Sequence, residues 1–377
     1  MRPPAQRFLS LDVFRGMTIC FMIIVNTPGS GAMPFSPLEH AEWHGFTPTD
    51  LVFPSFLFAV GNAMSFSLGR YRELGDAAFF RKVLKRTALI FLLGYLMYWF
   101  PFFRLDAQRH IIGAPISNTR IMGVLQRIAL CYFFASVFIH YLSARRLIAV
   151  SILLLVGYWV ILLIFGDPQQ PYSLLGNAGL FLDKFLMGSN HLYHGEGIPF
   201  DPEGWLSTMT SIVNVIAGYF AGRYIQEKGK QYETISKLML TGCLLIFIAL
   251  CWNLVFPVNK KLWTPPFVLL TSGIDLLLIS SLVYVVEMLN RNNNWWTRFF
   301  NVFGKNPLVI YLVSELLVTV LFMIPVGRQN FFGWINTVFF QKLAPGAIGS
   351  LLFALCYMLF CWCVGWWMNR RKIYIRV

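Results

Sequence analysis

Residues 146–166 read R-L-I-A-V-S-I-L-L-L-V-G-Y-W-V-I-L-L-I-F-G, and no charge follows Arg146. A helix of roughly 20 predominantly apolar residues crosses a bilayer core, so this stretch reads as a membrane span. The rest of the chain repeats the pattern. Of 377 residues, 57% are hydrophobic and 13% are charged, and the mean hydropathy is +0.60. A soluble protein carries about twice that charge fraction. At roughly 20 residues per span, the apolar content caps the count at about ten or eleven. Ten segments fit: 11–27, 47–68, 83–103, 121–142, 146–166, 203–225, 235–257, 263–289, 306–326 and 347–368. The expected fold is all-α, a polytopic integral membrane protein forming a single domain over 1–377, with no separate soluble domain. No internal repeat or low-complexity linker divides it. Disorder, collagen and disulfide-scaffold classes are excluded. The seven cysteines are odd in number and follow no framework spacing, so they read as small buried hydrophobes. The first apolar run, Gly16 to Val25, has no small-x-small cleavage pattern and reads as a retained helix.

The net charge of +14 would suit nucleic acid, but its placement points to a lipid bilayer instead. Basic residues sit in short clusters between apolar runs, the pattern that encodes orientation. With the N-terminus inside, Arg2, Arg7, Arg15, Arg70, Arg72, Arg81, Lys82, Lys85, Arg86, Arg145, Arg146, Arg223, Lys228, Lys230, Lys237, Arg291, Arg298, Lys305, Arg370, Arg371, Lys372 and Arg376 fall on the cytoplasmic side. Only Arg104, Arg109, Arg120, Lys184, Lys260, Lys261, Arg328 and Lys342 fall outside, and Arg127 lies within a span. The asymmetry predicts both termini in the cytoplasm.

Two outer loops are long. Loop 27–46 holds Glu39 and Glu42 and no Lys or Arg, and loop 167–202 holds four carboxylates against Lys184. Loops of this length in a compact protein are often functional. Four of the six histidines lie in them: His40, His44, His191 and His194. Imidazole is a base poised near neutral pH, although a lone loop histidine is more often surface decoration. No metal is expected, because H-A-E-W-H at 40–44 misplaces the glutamate of a zincin motif.

Ionisable residues within spans are costly and face a partner or a cavity. Asp12 and Arg15 are three apart and share a helical face. Asp50 opens the second helix in T-P-T-D, where it is either an N-terminal cap or a site residue. Arg127 reads as a snorkelling side chain, or as a structural anchor or an anion partner. Asp275 and Glu315 are either neutral and hydrogen-bonded or paired with such an arginine.

The stretch R-F-L-S-L-D-V-F-R-G-M-T (7–18), V-N-T-P-G (25–29) and E-H-A-E-W-H-G-F-T-P-T-D-L-V-F-P-S-F-L-F-A-V-G (39–61) adds a second line of reading. It resembles the membrane core of the heparan-α-glucosaminide N-acetyltransferase family. The resemblance continues in order through G-V-L-Q-R-I-A (123–129), F-L-D-K-F-L-M-G-S-N-H-L-Y (181–193), D-P-E-G-W-L-S-T (201–208), P-V-N-K-K-L-W (257–263) and Gly304-Lys305-Asn306. It implies a transferase that moves an acetyl group from cytoplasmic acetyl-CoA, as co-substrate, to the amine of a terminal glucosamine on the far side. It also implies a homodimer. Residue by residue, it assigns His40 as catalytic base or acetyl-carrying nucleophile, Asn26 as its neighbour in the active site, and Asp50 as the aspartate of the following block.

The chain starts almost at the R-F-L-S-L-D block, without the added luminal region of the lysosomal enzyme. A small amino sugar or an envelope glycan is therefore the expected acceptor, and a bacterial inner membrane the expected location. Arg81, Lys82 and Arg86, with Arg127 deeper in, are the candidates to meet the coenzyme phosphates. The same basic residues also serve as orientation signals. Two alternatives stay open: an amino-sugar transporter, and an O-acetyltransferase of an envelope glycan.

Overall fold

The computed structural model describes residues 8–29, 34–72, 75–105 and 110–375. Arg2, Arg7, Arg109 and Arg376, counted in the charge asymmetry, lie outside the described residues. Helices dominate: α1 (Leu9–Asn26), α2 (Val52–Arg72), α3 (Asp76–Trp99), α4 (Val124–Tyr141), α5 (Ala144–Phe165), α6 (Ala178–Met187), α7 (Trp205–Lys228), α8 (Tyr232–Asn253), α9 (Pro265–Leu282), α10 (Trp295–Lys305), α11 (Pro307–Met323), the short α12 (Phe331–Ile335) and α13 (Gln341–Leu343), and α14 (Ala347–Arg370). Two small hairpins, β1–β2 (Phe103–Leu105 with Ile111–Gly113) and β3–β4 (Pro325–Val326 with Gln329–Asn330), sit in connections.

Each of the ten expected segments overlaps one long helix. Among the described residues, seven helices are long and apolar enough to cross a membrane, or eight if the bent pair α10–α11 is one span. Of the remaining long helices, α3 carries Arg81, Lys82, Lys85 and Arg86. The other, α7, is polar for a different reason. It runs through the centre, buried on most sides, and its Thr208, Ser211 and Asn214 find partners inside the protein. The most apolar helix, α5, is also the least buried of the candidate spans. That distribution is inverted relative to a water-soluble core, as expected where hydrocarbon is the outer solvent.

Two departures from the sequence reading have local causes. Loop 167–202 contains a ten-residue helix, α6, capped by the Asn177 side chain accepting from the Leu180 N–H at 2.8 Å. The segment near 306 is broken: α10 and α11 meet at 80° across Asn306, with Pro307 opening the second helix. Proline suits that first position because its missing N–H would have had no helical partner. The cysteines also divide. Cys20, Cys131 and Cys361 are buried, whereas Cys243, Cys251, Cys356 and Cys363 lie on the outward faces of α8 and α14.

Glycine lets the central helices touch backbone to backbone. A Cβ on Gly61 of α2 would lie 1.9 Å from the Val215 carbonyl oxygen, and one on Gly218 of α7 would lie 2.0 Å from that of Phe58. Between α1 and α10 the same holds: Cβ atoms on Gly16 and Gly304 would overlap Phe300 and Asp12 carbonyls at 1.8 Å and 2.2 Å. Small residues at helix crossings supply the packing that apolar solvent does not. Gly218→Val is expected to force α2 and α7 apart and cost about 2 kcal/mol, the middle of the overpacking range. Thermal unfolding in detergent would measure it, and an unchanged midpoint would remove this seam from the stability argument.

The connections sort into two ends. At one, Trp43 Nε1 donates to the Tyr172 carbonyl at 2.9 Å, Gly45 N to Val258 O at 2.8 Å, and Ile121 N to His191 O at 3.2 Å. At the other, Ser10 N donates to Glu287 at 3.0 Å, Lys305 Nζ to Asn369 at 2.9 Å, and Asn306 Nδ2 to Ile373 O at 2.9 Å. Loops assigned to the outer side on charge thus share one end of the bundle. The expected Asp12–Arg15 pair forms at 2.8 Å at the opposite end, where Arg15 Nε also donates to Gly304 O at 2.9 Å.

Candidate active site

The segment between α1 and α2 turns on Thr47 and Asp50. Thr47-Pro48-Thr49-Asp50 forms a capping box, in which the Asp50 carboxylate accepts the Thr47 backbone N–H at 2.9 Å. The same oxygen, Oδ2, accepts the Ala41 N–H at 3.2 Å. Its other oxygen, Oδ1, lies 2.7 Å from His40 Nδ1. Asp50 has no solvent exposure, whereas the His40 side chain is 41% exposed. The cap and the histidine partner are therefore one carboxylate.

That arrangement sets the tautomer. A buried carboxylate is an acceptor, so Nδ1 carries the proton and the Nε2 lone pair is left to act. Imidazole oriented this way can serve as general base or as nucleophile. Facing it is Lys260, whose Nζ stands 3.2 Å from Nε2 and 3.5 Å from Nδ1. Burial holds the Lys260 ammonium below the usual lysine range. The next histidine is engaged elsewhere: Asn259 Nδ2 donates to His44 Nδ1 at 3.3 Å, and burial lowers the His44 pKa.

On the same connection a pocket of ≈ 550 Å³ is bordered by Glu42, Trp43, His44, Tyr172 and Glu196. Lys261 closes its edge, pairing with Glu196 at 2.6 Å and donating to the Glu42 carbonyl at 2.7 Å. A second pocket, ≈ 390 Å³, lies over Tyr98, Arg120 and Tyr193. Its floor is an ion cluster: Arg120 meets Asp201 through Nη2 at 2.6 Å and Nε at 2.9 Å, and Glu203 at 2.5 Å.

None of the other candidate residues makes a hydrogen bond to His40 among the described residues. Asn26, at the end of α1, makes a long 3.5 Å contact from Nδ2 to Glu315 of α11, and no hydrogen bond joins it to His40 among the described residues. Asp275 accepts from Ser55 of α2 inside the bundle. Arg127 does not snorkel. It is fully buried, donates to Gly204 O at 3.0 Å and to Ser207, and lies 4.9 Å over the Trp263 ring. Its helix, α4, faces the central α7, so the protein interior and not the interface receives the guanidinium. Arg81, Lys82 and Lys85 lie exposed on the first half of α3, and Arg86 stacks on Tyr132 at 4.6 Å. They occupy the end of α3 remote from Phe100 and the outer loops.

Residues 7–187 match the family model described as heparan-alpha-glucosaminide N-acetyltransferase, catalytic. Two curated proteins of the name heparan-alpha-glucosaminide N-acetyltransferase align with the chain at 27% identity. The human one covers 83% of this chain and 53% of its own length, and the mouse one 84% and 54%. The chain is similar to the heparan-alpha-glucosaminide N-acetyltransferases. It spans about half the length of the curated relatives it matches. The block matching the acetyltransferase catalytic model contains His40, Asp50, Asn26 and Arg127. Lys260, Asp201 and Glu203 lie beyond it and enter the site region only through folding. Sequence reasoning treated Lys260 as an outer-loop charge. Its only local signal was the K-K pair inside P-V-N-K-K-L-W, which does not say which lysine faces in. Among the described residues no group of three or more His, Cys, Asp or Glu side chains gathers as a metal site.

Asp183, also within the matched block, is a buried carboxylate that accepts the Trp205 N–H at 2.9 Å, at the start of α7. Burial raises its pKa from 3.8 to about 7. Between those values the folded chain holds a proton that the unfolded chain has lost. Stability is therefore highest below the window, falls as pH rises through it, and levels off above about 7. Asp183→Asn keeps the acceptor for Trp205 and removes the titration. The variant is expected to lose most of a fall on the order of 2 kcal/mol between pH 5 and pH 8. Unfolding midpoints of both proteins at the two pH values test it, and equal pH dependence would contradict it.

Proposed function

We propose that the chain is a transmembrane acetyltransferase that moves an acetyl group from cytoplasmic acetyl-CoA to the amine of an amino sugar at the opposite face. The observation that carries this reading is the buried Asp50 holding His40 Nδ1, within a block similar to N-acetyltransferases. In this reading all ten long segments cross the bilayer and both termini face the cytoplasm. The basic end of α3, with Arg81, Lys82 and Arg86, meets the coenzyme phosphates. Arg127, buried in the first turn of α4, stands near the outer end of the acyl arm's path, and the protein works as a homodimer.

At the outer end Nε2 takes one proton from the acceptor ammonium. The freed amine attacks the thioester carbonyl, the C–S bond breaks, and the second proton of the attacking nitrogen goes to the departing thiolate. Asn26 and Asp50 act with His40, Asp50 by fixing its tautomer and Asn26 by donating to the developing oxyanion. Acids and aromatics around the pocket at Trp43 and Tyr172 suit a cationic sugar.

The test is transfer of labelled acetyl from acetyl-CoA to glucosamine by the purified protein in detergent or vesicles. A hydroxylamine-resistant product marks an amide, and a hydroxylamine-sensitive one an ester. Binding of acetyl-CoA without transfer would overturn the acceptor, and no binding would overturn the acetyltransferase reading in favour of transport.

A further inference from the structure

We propose that Lys260 is itself an acetyl acceptor: when acetyl-CoA is supplied and no amino sugar is present, its Nζ takes the acetyl group and the site closes itself. The inference rests on the acetyltransferase reading above. The acceptor of that reaction is a primary amine that must stand within hydrogen-bond reach of His40 Nε2. Lys260 Nζ is a primary amine at 3.2 Å from that atom and 3.5 Å from Nδ1, so it stands against the ring face beside Nε2.

The neighbouring lysine shows that this placement is specific. Lys261 is tied to Glu196 at 2.6 Å and to Glu42 O at 2.7 Å, pointing away from the imidazole. Among the described residues no carboxylate lies within ion-pair distance of Lys260, and its near polar neighbours are the two ring nitrogens of His40. The backbone beneath it is held firmly. Leu262 N donates to Asn259 Oδ1 at 2.8 Å, Asn259 N to Thr264 Oγ1 at 3.0 Å, and Trp263 N to Lys260 O at 3.0 Å. Such a tethered amine needs no encounter step, which is the largest part of an intramolecular advantage. Burial also favours the neutral, nucleophilic form of this side chain.

The step balances. Nζ forms a bond to the acetyl carbon, either of the thioester or of an acetyl group already on Nε2. The C–S or the C–Nε2 bond breaks, and the amine proton passes to the thiolate or to Nε2. The product is an amide, which water does not reverse on the time scale of turnover. An acetylated Lys260 loses its charge and leaves its acyl group over His40, so a donor-loaded protein without acceptor silences itself.

The test is incubation of the full-length protein with isotopically labelled acetyl-CoA and no sugar, followed by chymotryptic peptide mapping across 257–263. The expected result is label on Lys260 approaching one group per chain, resistant to hydroxylamine, at least about tenfold above Lys261, and absent from a folded His40→Ala protein. Later transfer to glucosamine should fall in proportion to the label. Equal label on Lys261, or undiminished label in His40→Ala, would overturn the proposal. So would an unlabelled Lys260 in a preparation that acetylates glucosamine, which leaves the acetyltransferase intact. A preparation that labels neither lysine nor sugar overturns the acetyltransferase reading and this inference with it.

Discussion

His40→Ala will lower acetyl transfer by about 10²–10⁴-fold, the range expected when a general base is removed. The side chain is 41% exposed on an outer connection, so its loss removes little buried surface, but it leaves the buried Asp50 Oδ1 without its partner, and a modest fall in unfolding temperature is expected beside the loss of rate. What it does remove is an imidazole whose Nδ1 is fixed by a buried carboxylate, at 2.7 Å. Because the acceptor amine is mostly protonated at pH 7, loss of the base should be partly recovered at higher pH, where free amine is more abundant. Rates of labelled acetyl transfer from pH 6 to pH 9, wild type against variant, give the result. A variant that keeps full activity at pH 7 would remove His40 from the chemistry, and an unchanged pH profile would remove its role as base.

The second large effect concerns the fold around the site. Arg120→Met is expected to cost about 3–5 kcal/mol, because breaking a buried pair leaves its partner charged and alone. Here two carboxylates would be stranded. Asp201 is fully buried and the Glu203 side chain is 10% exposed, and Arg120 touches both. The guanidinium also lies 5.0 Å over the Tyr98 ring and 4.7 Å over that of Tyr193. It therefore joins the end of α3 to the second half of the long outer loop and the start of α7. Adding Asp201→Asn and Glu203→Gln to the variant should restore a large share of the loss, since neutral amides remain in place of the unpaired charges. Unfolding midpoints in detergent decide this. If the single variant melts with the wild type, the cluster does not hold the outer loops together.

Much of the fold was legible in order along the chain. The segment 146–166 is one helix, α5, with its apolar side chains turned outward, and the other nine segments each overlap a helix. The break at Asn306 was not legible, because Pro307 is equally acceptable at the start of a straight span or after a bend. The segment 203–225 was counted with the other spans despite its polarity, and the structure explains that polarity. Its Thr208, Ser211 and Asn214 look unfavourable for lipid until neighbours on α4, α2 and α9 surround them. Of the site, the His40–Asp50 contact joins residues ten apart, and a local capping box sets it up. Family resemblance reached those two residues before geometry did. It also reached Asn26, whose contact is with Glu315 and not with His40.

Arg127 shows the limit of reading a span alone. Distance from the helix end left open a side chain reaching for the interface or an anchor inside the bundle, and the facing helix encloses it with Gly204, Ser207 and Trp263 as an anchor. Hydropathy is a sum over roughly 20 neighbouring residues, so the one-dimensional chain was enough to establish a polytopic helical membrane protein and the charge asymmetry of its loops. Which lysine of the pair meets His40, which carboxylates share Arg120, and which face of each helix lies inside depend on contacts between residues far apart in the chain, 289 positions for Arg15 and Gly304. Those contacts exist only after the helices pack, because no local rule relates the direction of one loop side chain to that of another across the bundle.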